Sequence, residues 1–229
     1  MVFTEFYVTY WNYYAQLEAD FFVTEPYCAI DSVNNNAYSN KYLQLILSIC
    51  GEIDTICKRF CKAIDGSLNT EKSGIDEYRA ILTKTYPSLA KEAVIIQDRI
   101  YKDIKPWTAW SKNHNPHWWD TYNRLKHRRD EDVDGKTAFT KANQKTVLEA
   151  LSALYIVLEY WAAHNFAIYN EQEGSYEMLR MTSSRLLLKQ WELCYTGFMG
   201  QHFFETKPLR EHLGISAESE ATMSNAENT

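Results

Sequence analysis

Apolar residues recur along most of this chain at helical rather than alternating spacing, and the elements follow from where that rhythm starts and stops. In YLQLILSICGEIDTICKRFCKAID, the positions Leu43, Ile46, Cys50, Ile53, Cys57, Phe60, Cys61 and Ile64 mark one face of a helix about six turns long. Ser39 stands where an N-cap hydroxyl belongs, Tyr38 and Leu43 are placed to form a hydrophobic staple across it, and Asp65-Gly66 marks the end. GIDEYRAILTKTY predicts a shorter helix stopped by Pro87. The longest pattern, TAFTKANQKTVLEALSALYIVLEYWAAHNFAI, is rich in Ala and Leu and predicts the spine of the core. FYVTYWNYYAQLEADFF spreads its aromatics around a helical wheel and reads as a helix or a packed arm. Only AVIIQDRIYKDIKPW has strand character, with β-branched residues flanking Gln97-Asp98-Arg99, and it predicts a minor β-hairpin near residues 93–104. The fold expected is therefore all-α, a bundle of five to seven helices with that one hairpin. Its parts are an N-terminal helix or arm over 1–38, a helical core over 39–170, a C-terminal helical extension over 171–213 and a polar, acidic, disordered tail over 214–229.

Composition narrows the classes. The chain has 229 residues, enough for one domain with an appendage, and a hydrophobic fraction of 45%, which is that of a folded protein. A mean hydropathy of −0.44 and the lack of a long unbroken apolar run predict no membrane span. MVFTEFYVTYW lacks the basic start and cleavage site of a secretory signal, so a cytoplasmic location is expected. Of five cysteines, Cys50, Cys57 and Cys61 share the apolar stripe of one helix, which suits reduced, buried thiols better than a metal site. The net charge of −6 argues against indiscriminate binding to nucleic acid, so any such contact must be local. Phosphate-cradling glycine loops and a G-x-S-x-G elbow are absent. His114 and His117 have Pro116 between them and read as loop histidines; His164 reads as a satisfied core histidine. Neither a metal nor a cofactor is predicted.

The one dense basic stretch is WWDTYNRLKHRRDED, residues 118–132. On a wheel, Trp118, Tyr122, Leu125 and the stem of Arg129 form a buried stripe, and Trp119, Asn123, Lys126, His127 and Asp130 form a second stripe beside it. Arg124 and Arg128 fall on the other flank. Two readings of the second stripe stay open. In one, Asn123, Lys126 and His127 are polar groups satisfied by hydrogen bonds to a neighbouring helix. In the other, an imidazole held by an amide beside an ammonium is a proton-transfer or phosphate-binding site. Asp54 and Lys58, four apart at the edge of the long Cys-bearing helix, are either an ordinary ion pair or the feature that meets this stripe.

Two long helices, the later preceded by a tryptophan pair and carrying Tyr122-Asn123-x-x-Lys126-His127-x-Arg129, resemble the HEPN-like helical proteins of bacteria over roughly residues 39–165. The resemblance implies a core of about four to five helices that dimerises. In many such proteins it also implies a metal-independent ribonuclease of toxin or phage-defence type, with an Arg four to six residues before a His. Carried onto this chain, His127 would be the general acid or base, Arg124 and Arg129 its phosphate-stabilising partners, and Asn123, Lys126, Trp119, Asp54 and Lys58 the surrounding binding residues. The spacing departs from the motif, because Arg124 and His127 are three apart and no Arg lies four to six residues upstream. The resemblance therefore implies first a binding module for nucleotide, RNA or a protein partner through a basic, aromatic-edged surface, forming a homodimer, with the ribonuclease as the alternative.

Overall fold

The computed structural model describes residues 1–97, 99–133, 135–166, 168–170, 175–178, 181–189, 195–198 and 201–205. Five substantial helices carry it. The first, α1, runs through Phe3–Phe6, a π-turn at Tyr7–Trp11 and Asn12–Phe22. Its buried side chains begin at Phe6 and Trp11, five apart, a step that an unbroken α-helix would rotate off the face. The π-turn absorbs that extra residue and lets Trp11, Tyr14, Leu17 and Phe21 continue one stripe.

α2 (Asn40–Ile64) starts where the Ser39 hydroxyl oxygen accepts the Tyr42 amide at 3.1 Å. It ends where the Lys62 ammonium donates to the carbonyls of Gly66 (2.7 Å) and Leu68 (2.9 Å). Leu43, Ile46, Cys50, Ile53, Cys57, Phe60 and Cys61 are buried as the periodicity predicts. Burial pushes the Cys61 thiol up to about 12, and those of Cys50 and Cys57 well above their ordinary range, so all three are poor nucleophiles. Tyr38, expected to staple to Leu43, lies edge-on against Phe139 at 5.5 Å.

α3 (Ile75–Thr85) opens on the Gly74 amide donating to the Glu77 carboxylate at 2.8 Å. α4 (His117–Arg128) carries the basic stretch and packs against both α2 and the last helix, α5 (Gln144–Phe166). Asn143 caps α5 by accepting the Thr146 amide and hydroxyl, both at 3.0 Å. α5 is long and apolar enough to cross a membrane by length and composition, yet 94% of its most apolar window is buried inside the protein. Its composition is thus that of a helix packed on every side, with Tyr155 stacked on Tyr14 (5.6 Å) and Trp161 edge-on to Phe6 (5.1 Å).

The β-structure is minor beside the bundle. β1 (Val94–Ile96) closes a local turn, Val94 and Ile104 exchanging amide–carbonyl bonds of 2.8 and 2.9 Å, which is the expected hairpin reduced to a single bridge. Its ladder partner is distant in sequence. β2 (Asp132–Val133) and β3 (Lys136–Thr137) form a tight hairpin directly after α4, turning through Gly135 at φ 76°, a conformation that favours glycine. β4 (Ile168–Asn170), β5 (Ser175–Met178), β7 (Tyr195–Phe198) and β8 (Gln201–Glu205) form an antiparallel sheet in the order β4-β5-β8-β7. β6 (Leu186–Leu188) pairs antiparallel with β1.

The C-terminal extension expected to be helical over 171–213 is therefore corrected: its described residues are mostly strands. Leu186, Leu187 and Leu188 alternate buried, half-buried, buried against β1, a two-residue rhythm that three consecutive leucines conceal. The tail expected over 214–229 lies outside the described residues. The segment ahead of β6 is fixed to α1 by the buried carboxylate of Glu18. It accepts the Tyr14 hydroxyl (2.9 Å), the Ser183 hydroxyl, and the Ser184 amide (3.1 Å) and hydroxyl (2.8 Å). Burying a carboxylate is costly without donors, and four of them satisfy this one.

Candidate functional site

α4 begins after Pro116, whose fixed φ suits a helix start. Its buried arc is broader than one stripe, because the helix meets α2 on one side and α5 on the other. Trp118, Trp119, Thr121, Tyr122 and Leu125 all lie in it. The Trp118 indole donates to the Pro106 carbonyl at 3.0 Å and sits edge-on to Trp107 at 5.0 Å. Two sequence expectations change here. Trp119 is 6% exposed and packs between Trp118 and Tyr122, so it belongs to the core rather than to a binding edge. Arg129, whose stem was placed in the buried stripe, is exposed just beyond the last helical turn.

The remaining face is open. Asn123, Arg124, Lys126, His127, Arg128, Arg129 and Asp130 are all exposed. Lys126 holds its ammonium 5.6 Å from the centre of the Tyr122 ring, and Glu131 draws Arg124 (3.4 Å) and Arg128 (3.8 Å). These pairs are solvated and weak, at most about 1 kcal/mol each. The side chains of Asn123, His127 and Arg129 make no hydrogen bond to another described residue. The first reading fails, because the groups are not buried and satisfied by a neighbouring helix; of the second, the accessible cations remain, but no amide holds the imidazole. Arg124 and Arg129 share the helix and its end with His127.

Asp54 and Lys58 do not meet this face. Asp54 accepts the Lys58 ammonium at 2.5 Å and the Tyr78 hydroxyl at 2.8 Å, which ties it to α3. Burial, reinforced by Asp54, pushes the Tyr78 hydroxyl well above its ordinary range, so it stays protonated as the donor. The pair is an i,i+4 bridge that also anchors one tyrosine.

Sequence reasoning missed the cleft beside the hairpin that follows α4. The Phe139 amide donates to the Arg129 carbonyl (3.0 Å) and the Ala138 amide to that of Glu131 (2.8 Å), folding the β2–β3 hairpin back onto the end of α4. That places beside it a cleft of about 450 Å³ lined by Asn36, Tyr38, Lys136, Thr140, Lys141 and Asn143. Tyr38 is 51% exposed there, its ring steadied by Phe139. The available signal was charge asymmetry: residues 99–149 hold eleven Lys and Arg against seven Asp and Glu, in a chain with 24 against 30.

The other histidines separate. His114 and His117 are exposed. His164, expected in the core, has an exposed edge at the end of α5; its Nδ1 meets the Tyr86 hydroxyl at 2.6 Å, its ring lies against Phe60 at 5.5 Å, and partial burial holds its pKa below the ordinary 6.5. Among the described residues no three His, Cys, Asp or Glu side chains gather as metal ligands.

Comparison with family models, curated proteins and solved structures gives no match to this chain. The HEPN-like resemblance thus rests on the Tyr122–Arg129 pattern and its neighbouring helices alone.

Proposed function

We propose that this chain is a non-catalytic RNA-binding module, HEPN-like and homodimeric, that takes single-stranded RNA on the exposed face of α4 and the adjoining Tyr38 cleft. The observation that carries this reading is the accessibility of the last turns of α4. Lys126, His127, Arg128 and Arg129 project into solvent from a helix whose other side is fully used in packing, and Lys136 and Lys141 line the cleft that follows it in the chain. Cations at a helix C-terminus also offset its dipole, which accounts for some of the charge. Phosphates would lie along the cations, and an unpaired base would stack on the exposed Tyr38 ring. The ribonuclease reading ranks second, since among the described residues the His127 side chain has no hydrogen-bond partner, and an acid–base partner would have to come from a second copy.

Fluorescence anisotropy with a labelled oligoribonucleotide tests this. Neutralising three or four phosphates on a single strand predicts a slope of log affinity against log salt of about −2 to −3. Tyr38→Ala should weaken binding roughly tenfold without changing that slope. No binding at low salt, or a flat salt dependence, contradicts the proposal; cleavage of the RNA that is lost in His127→Ala promotes the enzyme in its place.

A further inference from the structure

A second cleft, lined by none of the α4 residues, has the makings of a small-anion site. It measures about 270 Å³ and lies between the loop Tyr101–Lys105, the turn holding Ser32 and Asn35, and the first turns of α5 with Lys145, Leu148 and Glu149. This size, near the lower end for ligand pockets, suits a small molecule rather than a polymer.

Its walls are braced. The Tyr101 hydroxyl donates to Asn35 Oδ1 across the mouth at 2.9 Å, and Ile104 is held by its two backbone bonds to Val94. The first amides of α5 are already used, Gln144 donating to the Ala37 carbonyl (2.9 Å) and Lys145 to that of Asn35 (3.2 Å), so side chains must supply any attraction for an anion. Three lysines line the cleft: Lys102, Lys105 and Lys145. Of its two acids, Asp103 is engaged by Lys189 at 2.9 Å. The other, Glu149, stands 3.7 Å from Lys145 and is half-buried, which holds its carboxyl above the usual range. With Asp103 paired to Lys189, three lysines stand against the one remaining carboxylate, Glu149, so the cleft has a surplus of positive charge. Leu148 and the Tyr101 ring add an apolar surface to it.

We propose that this cleft binds a small phosphomonoester, with Lys102, Lys105 and Lys145 around the phosphate and the organic group resting on Leu148 and the Tyr101 ring. Several ammonium groups around a dianion give charge-assisted hydrogen bonds, and an apolar wall beside them separates an ester from the free ion. The proposal is independent of the RNA-binding reading.

Calorimetric titration with phenyl phosphate, inorganic phosphate and phenol tests it. Phenyl phosphate should bind with a Kd at or below the millimolar range, inorganic phosphate several-fold more weakly, and phenol not at all. Lys105→Glu/Lys145→Glu, at exposed positions, should lose roughly tenfold or more for both anions with the melting curve unchanged. Tyr101→Ala should weaken phenyl phosphate selectively. No heat from phenyl phosphate at about 10 mM, or equal affinity in the charge-reversed variant, would overturn the site. Equal affinity for inorganic phosphate and the ester would overturn the organic subsite.

Discussion

α4 and α5 are neighbours that use their sequences in opposite ways. α5 is buried at Val147, Leu151, Leu154, Tyr155, Leu158 and Ala162, on all sides of its wheel, and even Glu159 and Ser152 are buried. α4 buries an arc and leaves Asn123, Arg124, Lys126, His127 and Arg128 in water. A helix enclosed on every side is constrained by packing at each position, so its residues report on the fold. A helix with a free polar face carries residues that stability does not require, and those are where function is to be sought.

The comparison breaks most readily in the core. Leu154→Ala in α5 should cost about 2–5 kcal/mol in urea unfolding, the range for emptying a fully buried leucine site; a cost below about 1 kcal/mol would mean that α5 is not the enclosed spine. Glu18→Ala comes next, at about 2–3 kcal/mol, because the Tyr14 hydroxyl and the Ser183 and Ser184 donors lose their common acceptor. The same variant should make the segment around 183–189 more accessible to proteolysis while α2 stays protected from hydrogen exchange.

His164 gives a pH signature. Partial burial lowers its folded pKa below the ordinary 6.5, so the unfolded chain binds the proton more readily. Its neutral form costs nothing above that value, and stability contributed at this site is lost as pH falls from about 6.5 through the folded pKa. His164→Gln should flatten that part of the stability–pH curve; an unchanged slope would assign it to other groups. The smallest effect is expected on α4, where Asn123→Ala and His127→Ala should each stay within about 0.5 kcal/mol of the parent. A loss approaching that of Leu154→Ala would show that these polar groups are structural after all.

The helices were legible in sequence because their signals are local. Ser39, Asp65-Gly66, Pro87 and the period of α2 name boundaries that the structure keeps to within a residue or so. β6 was not legible, since Leu186, Leu187 and Leu188 reveal a strand only beside Val94–Ile96, about ninety residues earlier. The site was legible in part. The wheel placed Asn123, Lys126 and His127 together, but the width of the buried arc depends on how many helices α4 touches, which moved Trp119 inward and Arg129 outward. Asp54 was drawn away by Tyr78, a partner 24 residues off. Tyr38, Lys136 and Lys141 come together through contacts distant in sequence, Tyr38 bridging to Asn143 while the β2–β3 hairpin folds back onto α4.

The most direct test is a paired measurement on Arg128→Glu/Arg129→Glu: urea unfolding and anisotropy with the labelled oligoribonucleotide. The account predicts an unfolding midpoint equal to the parent's and an affinity reduced by roughly a hundredfold at low salt, as expected when two phosphate contacts become repulsive. Unchanged affinity, or a loss that comes only with a lowered midpoint, would contradict the claim that the free face of α4 is a binding surface.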